Sequence, residues 1–531
     1  MKKILFLLLM IPMGVCAQQD AWVYFSDKEN VQTSIDNPIS ILTQEAIDRK
    51  AMHNTPIDER DVPVNESYID EVKDQNGIIV YAKSKWFNCV YVRGGEEDIN
   101  DLWDLSFVSD IQYADRTLNR ELDDFSFVKQ DPAQRIDFVY GTTENQVSML
   151  TVDQLHEQDY TGEGMIVAIM DSGFSGVDVQ PGFARIRDNG KLLDGYDFVD
   201  RTDDEFAFTG SDHGTRVVSD IAGFVQDQFV GTGPDAFIYC FRTEDVGSEN
   251  PIEEALWVEA AERADSLGVD VINTSLGYRT YDNPAYSYTY DDMNGNTAFI
   301  SKGATMAFEK GMLVVTSAGN SGSGMISAPA DAVGALTVGA VDENGDYASF
   351  SSIGPSSDGR VKPDVMAKGE AAAVIRADGS ITTSNGTSFS SPIMAGAVAS
   401  IWQSFPQKTN AEMMQLIREA SSMFDNPTAE FGYGIPDFGM LLQDLLSVEE
   451  SAFAKAYTLY PIPTSNRFQV GLPQGTVNAE LSLYNMLGKE VLQQSISRDQ
   501  DWVEISHLPN GIYLANLKSK EQISTLKIIK S

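Results

Sequence analysis

Four hydroxyl side chains crowd the stretch NGTSFSSPIMAG at residues 385–396: Thr387, Ser388, Ser390 and Ser391. A serine hydroxyl is nearly inert at neutral pH, so nucleophilic chemistry needs a base beside it and a group that orients the base. The chain has four histidines. His53 and His507 fall in the first and last modules, and His156 sits in the polar TVDQLHEQDY. His213, in SDHGTRVVSDIAG, is followed at once by glycine and a small-residue helical pattern. That glycine allows neighbouring groups to approach closely, as a crowded site requires.

Asp171 is the candidate orienting carboxylate. It ends the apolar run MIVAIM, and in open parallel sheets chemistry gathers beyond the carboxyl ends of strands. Ser275, ending VDVINTS, and Asn320, ending MLVVTSAGN, have the same placement. A fixed amide such as that of Asn320 stabilises the negative charge that develops on an attacked carbonyl, an effect typically worth about 3 kcal/mol. Ser388 then stands at the entrance to the Ala/Gly-rich helix IMAGAVASIW, where free N–H groups favour an anion. Pro392 reads as a first-turn residue of that helix, and Ser390 and Ser391 are expected to point elsewhere.

The elements that must position these residues fall into three modules. Residues 18–140 combine a helix-compatible stretch, ILTQEAIDRKAMH, with strand-like GIIVYAK, WFNCVYVR and SFVSDIQ and a short acidic helix, which predicts a small α+β unit. Residues 116–135 read as a charged linker. Residues 141–448 alternate strand and helix. Ile252, Leu256, Ala260, Ala264 and Leu267 recur at helical spacing, and TAFISKGATMAFEKG, MLVVTSAGN and ALTVGAV continue the alternation. This predicts an α/β domain with a largely parallel sheet and helices on both faces. Residues 455–531 hold short alternating strands between Pro, Gly and Asn turns, the pattern of a small β-sandwich.

Composition narrows the partners. With 78 Asp+Glu against 38 Lys+Arg, the chain repels nucleic acid and anionic membrane. MKKILFLLLMIPMGVCAQQ has the form of a secretory signal peptide, cut after Ala17, and the bulky Val15 argues against Cys16 as a lipid-bearing cysteine. No later run approaches the about 20 apolar residues of a membrane helix. The predicted location is therefore outside the cell or at its surface. Of the remaining cysteines, Cys240 lies in the apolar FIYCF and reads as a core residue, and Cys89 is far from it in sequence. No disulfide framework, zinc site or cofactor is expected.

AIMDSGF, DHGTRVVSDIAG and NGTSFSSPIMAG, in that order, resemble the aspartate, histidine and serine motifs of the subtilisin-like serine endopeptidases, family S8. The resemblance covers about 300 residues, and three motifs in the family's order make a very specific signal. It implies that Ser388 attacks a peptide carbonyl, His213 moves the proton and Asp171 holds the imidazole, with the Ser388 N–H and Asn320 forming the oxyanion hole. It also implies that Ser275, Leu276 and Gly277 pair with extended substrate while Ser317, Ala318 and Gly319 line the primary pocket. Val218-Ser219 and Phe389-Ser390 depart from the commoner Ala-Gly and Met-Ala. The first module resembles the propeptide of such proteases. The last, through LYPIPTSNRFQV, LYNMLGKEV, LPNGIYL and KIIK, resembles the sorting domain of type IX secretion in Bacteroidetes. Expected partners are protein or peptide substrates, the chain's own propeptide and the secretion machinery.

Two other readings are compatible with parts of the chain. One is a catalytically silent binding protein on a protease fold, which a missing site residue would signal. The other is an adhesin working through its β-module. Asp291, Asp292 and Asn294 in YDDMNGN have the chemistry of a calcium site, although a solvated acidic loop is the simpler account.

Overall fold

Strand β1 (Gln18–Phe25) runs through an antiparallel sheet with β2 (Ile79–Ser84), β3 (Cys89–Gly95) and β4 (Val108–Tyr113), in the order β2-β3-β1-β4. The computed structural model describes residues 18–118, 138–454 and, apart from short gaps, 457–530. Residues 1–17 and 119–137 lie outside the described residues, and with them the signal peptide and most of the expected linker. The sequence pattern marks β2 to β4 but not β1, because β1 lacks a polar face. Ala21, Val23 and Phe25 enter the module's own core, while Trp22 packs into the core of the neighbouring α/β domain. A strand buried on both sides shows no alternation to read.

The first module is held on the α/β domain by aromatic stacking and a chain of buried charges. Trp22 and Phe299 lie 4.8 Å apart between ring centroids. On helix α1 (Gln44–Met52), Arg49 and Lys50 reach Asp265 at 2.5 and 2.8 Å. Lys50 also meets Asp61 at 3.1 Å, and Asp61 meets Lys310 at 2.8 Å. The Glu262 carboxylate accepts from Ser84 Oγ at 2.5 Å, Lys85 N at 2.8 Å and Trp86 N at 3.0 Å. The start of the expected linker is docked as well, since Arg116 donates to the Ser287 carbonyl at 2.8 Å and pairs with Asp292.

In the α/β domain, β5 (Ile166–Asp171), β6 (Tyr196–Asp197), β9 (Phe237–Arg242), β10 (Val271–Thr274), β11 (Leu313–Ser317), β12 (Ala335–Val341) and β13 (Val365–Lys368) form a seven-stranded sheet. β7 (Phe224–Val225) and β8 (Phe229–Val230) make a separate hairpin. The order is β13-β12-β11-β10-β5-β9-β6, and every pair is parallel. Helix α2 spans His213–Ala222, α3 Ile252–Leu267, α4 Phe299–Glu309 and α5 Thr387–Ser404. α3 and α4 pack with Ala168, Met170, Ile272 and Val314 of the sheet, while α5 lies against α2 and strands β10 to β13. All of α5 is buried, as a helix apolar around its whole circumference must be. Its small residues permit this: a Cβ added to Gly396 would meet Gly233 N at 2.8 Å.

The compact unit formed by residues 442–531 is a separate body. Its three-stranded and four-stranded antiparallel sheets share a core of Phe468, Val470, Leu481, Leu483, Ala515 and Leu517, the expected β-sandwich. Among the described residues no helix is long and apolar enough to cross a membrane.

Candidate active site

Sheet register sets the level of three of the expected residues. Met170 pairs with Thr274, and Thr274 with Thr316. The next residue on each strand, Asp171, Ser275 and Ser317, therefore stands in one row at the carboxyl edge.

Asp171 is fully buried, and its carboxylate accepts from Ser172 N at 2.7 Å. His213, the first residue of α2, brings Nδ1 to 2.8 and 3.0 Å from the two Asp171 oxygens. With Nδ1–H donated to the carboxylate, the lone pair of the neutral ring is on Nε2. The close approach depends on Gly214, where a Cβ would meet the Gly173 carbonyl at 2.6 Å. Burial opposes a charged imidazole here, but the Asp171 charge and hydrogen bond outweigh it and raise His213 above its ordinary 6.5.

Ser388 is the second residue of α5, and its hydroxyl donates to the Ser275 carbonyl at 3.1 Å. Phe389 brings the start of this helix beside the imidazole, with ring centroids 5.7 Å apart. Pro392 is the sixth residue of α5, beyond the first turn, which corrects the sequence expectation. Lacking an N–H, it leaves the Ser388 carbonyl without its helical donor. Ser275 Oγ supplies the replacement at 2.8 Å. Ser390 and Ser391 do point elsewhere, to the Thr387 carbonyl and to Asn273 Oδ1.

Asn320 is held by its oxygen. Oδ1 accepts from Thr387 N at 2.9 Å and Thr387 Oγ1 at 3.0 Å, and among the described residues the amide NH₂ keeps its donors free in a side chain that lines one cleft with Ser388. Thr387 has this anchoring role with no sequence signal beyond its place in the hydroxyl run. Gly386, at φ +147°, makes the turn that only glycine adopts readily.

A cleft of about 510 Å³ opens beside these groups. Ser275, Leu276, Gly277, Ser317, Gly319, Asn320 and Ser388 all line it. The backbones of Leu276 and Gly277 make no hydrogen bond among the described residues, so an extended peptide has an open edge to pair with. Ala318 departs from expectation. Its side chain is buried with Ile326 and Ala330, and its N–H is committed to the Val338 carbonyl. Strand alternation turns it away from the cleft while its neighbours Ser317 and Gly319 face it.

Glu244 was not legible in the sequence. Burial first, then the nearby Asp171 charge, lift its carboxyl to about 7. The other histidines are elsewhere. His156 is buried between the Tyr140 hydroxyl and the Thr232 carbonyl, and burial lowers it to about 4. In YDDMNGN, Asp292 pairs with Arg116 and accepts from Thr289 N, and Asn294 Oδ1 accepts from Asn296 N and Thr297 N. Cys89 and Cys240 are both free and buried.

Residues 162–434, more than half of the 531, match the model of the Subtilase family, peptidase S8. The chain belongs to the subtilase family. Within it, residues 20–130 match the peptidase S8 propeptide domain of Bacteroidota, and residues 458–531 match the secretion system C-terminal sorting domain. This subtilase is 29% identical over 311 residues to Subtilisin DY of Bacillus licheniformis, covering 58% of this chain and 97% of that one. It is 31% identical over 293 residues to Subtilisin NAT of Bacillus subtilis subsp. natto, covering 54% and 68%. The crystal structure of MycP1 from Mycobacterium smegmatis is a more distant likeness, at 22% identity and a TM-score of 0.47, covering 60% of this chain and 89% of that one. The subtilase is thus a peptidase with a propeptide and a sorting domain.

Proposed function

We propose that this subtilase is a secreted or surface-displayed serine endopeptidase, made as a precursor, which cleaves peptide bonds through an acyl-enzyme on Ser388. The carrying observation is the pairing of His213 Nδ1 with both oxygens of buried Asp171 at the sheet edge shared with Ser388 and Asn320. Rotation about Cα–Cβ takes the Ser388 hydroxyl from the Ser275 carbonyl to His213 Nε2. As Ser388 Oγ bonds to the substrate carbonyl carbon, its proton passes to Nε2, and Asp171 stabilises the imidazolium. The carbonyl oxygen gains negative charge and is met by the Asn320 NH₂ and the Ser388 N–H at the start of α5. Collapse of the tetrahedral adduct breaks the C–N bond, and Nε2–H protonates the leaving amine. Water, deprotonated by the same nitrogen, then releases the acyl group.

No cofactor enters this scheme. The first module serves as the inhibitor removed on maturation, and the sorting domain as the address read by the secretion machinery. Protein or peptide chains are the substrates. All four site residues are present, so nothing favours a silent binding protein. Ser388→Ala should abolish peptide hydrolysis and leave the first module covalently attached; full activity in that variant would refute the assignment.

A further inference from the structure

The cleft beside Ser388 is lined mainly by polar groups, and the one cation in its lining has no partner among the described residues. Beyond β10 the chain stays extended: Tyr278 N donates to the Ala328 carbonyl at 2.8 Å, and Ala328 N returns the bond at 3.1 Å. Side chains of an extended segment alternate. Tyr278 turns inward, buried, with its hydroxyl on Glu244. Gly277 and Arg279 take the opposite side, and both line the cleft. Gly277 leaves a gap there, and Arg279 shares the lining. A Cβ added to Gly324, in the loop after Asn320, would lie 3.7 Å from Arg279 Nη1.

Among the described residues no carboxylate, hydrogen-bond acceptor or aromatic ring contacts this guanidinium. Arg185, Arg216 and Arg242 are each ion-paired. Two carboxylates, Glu249 and Asp282, line the same cleft but engage each other's neighbourhood. Asp282 Oδ2 accepts from Glu249 N at 3.1 Å, and burial followed by the Asp282 charge raises the Glu249 carboxyl. Ser317, Ser321 and Ser327 add hydroxyl-bearing side chains to the same lining.

We propose that Arg279 selects an acidic side chain, Asp or Glu, on the substrate residue whose carbonyl is attacked. This deepens the reading above and rests on Ser388 being the nucleophile. A carbonyl placed between Ser388 and the Asn320 amide directs the side chain of its own residue between the 275–277 and 317–320 walls, toward Arg279. A carboxylate there gains a charge-assisted, bidentate partner. An aliphatic or aromatic side chain instead strips water from the guanidinium and hydroxyls and gives nothing back.

The test uses the processed, secreted enzyme and peptides that differ only in Glu, Gln, Phe or Lys at that residue. The expected kcat/KM for Glu exceeds that for Gln by about tenfold or more, the scale of a charge-assisted contact. Arg279→Gln should bring this ratio to about one, and Arg279→Lys should keep part of it. A ratio of one or less in the unaltered enzyme overturns the proposal with no variant needed. So does an equal ratio in Arg279→Gln, or a Lys preference that disappears in Glu249→Gln. Each preparation is first titrated with a serine-directed fluorophosphonate. Labelling of Ser388 keeps the nucleophile assignment standing whichever way the ratio falls. Absence of labelling in the unaltered enzyme overturns that assignment and the proposal with it.

Discussion

Ser275 and Ser388 exchange hydrogen bonds: Ser275 Oγ donates to the Ser388 carbonyl at 2.8 Å, and Ser388 Oγ donates to the Ser275 carbonyl at 3.1 Å. The pair joins the end of a central strand to the first turn of α5. The first of these bonds exists because Pro392 brings no N–H to the Ser388 carbonyl. Ser275→Ala should therefore cost about 1–3 kcal/mol, the penalty of an unpaired buried acceptor. Urea unfolding should show much of that loss recovered in the Ser275→Ala, Pro392→Ala double variant, where residue 392 regains its N–H. Strict additivity of the two changes would contradict this account.

Asn320 is anchored by its oxygen, and in the proposed mechanism its NH₂ meets the developing charge. Asn320→Ala should lower kcat about 10²- to 10³-fold with little change in KM, as expected of a donor used in the transition state. Thr387→Val removes one of the two bonds to Oδ1 and should lower kcat in the same direction by a smaller factor. A change confined to KM would move Asn320 from catalysis to substrate binding.

In the proposed mechanism His213 must be neutral to accept the serine proton, and against opposing burial the Asp171 charge and hydrogen bond raise its pKa above 6.5. The acid limb of the kcat/KM profile should thus fall above pH 6.5, activity rising as pH rises through it. Asp171→Asn leaves burial without the opposing charge. Its limb should move to lower pH while the rate drops by about 10⁴-fold. The same pairing stabilises the folded chain fully below pH 6.5, and that contribution is lost as pH rises through the higher folded value. An acid limb unmoved by Asp171→Asn would break the link between the two residues.

Asp265 pairs with both Arg49 and Lys50 in a buried contact between the first module and α3. Asp265→Ala leaves buried Arg49 without a carboxylate and Lys50 with Asp61 alone, a change worth about 3–5 kcal/mol. In a Ser388→Ala chain, which keeps its first module attached, hydrogen exchange should report faster opening of the Gln44–Met52 helix. Unchanged protection would mean that the aromatic contact around Trp22 and Phe299 holds the module alone.

Much of the site was legible in the chain because its chemistry needs particular residue types at strand ends. An apolar run closed by Asp171, a glycine after His213 and a hydroxyl before a small-residue helix carry their meaning locally. Alternation of 3.6- and 2-residue periods likewise implied the parallel sheet and the terminal sandwich, since burial imposes those periods on each element separately. Local pattern failed where burial came from another element. Strand β1 has no polar face because two cores claim it, and Ala318 sits in the right motif with its side chain turned the wrong way.

What only the tertiary structure decided is which groups remain uncommitted. Pro392 takes on significance once the strand bearing Ser275 lies beside it. Glu244 is raised by burial and then by Asp171, across a distance the sequence does not encode, and Arg279 is notable for making no ion pair among the described residues. Hydrogen bonds and charges are satisfied in space, between residues more than a hundred positions apart. The sequence by itself therefore determined the reactive types and their elements, and packing determined which of them are free to act.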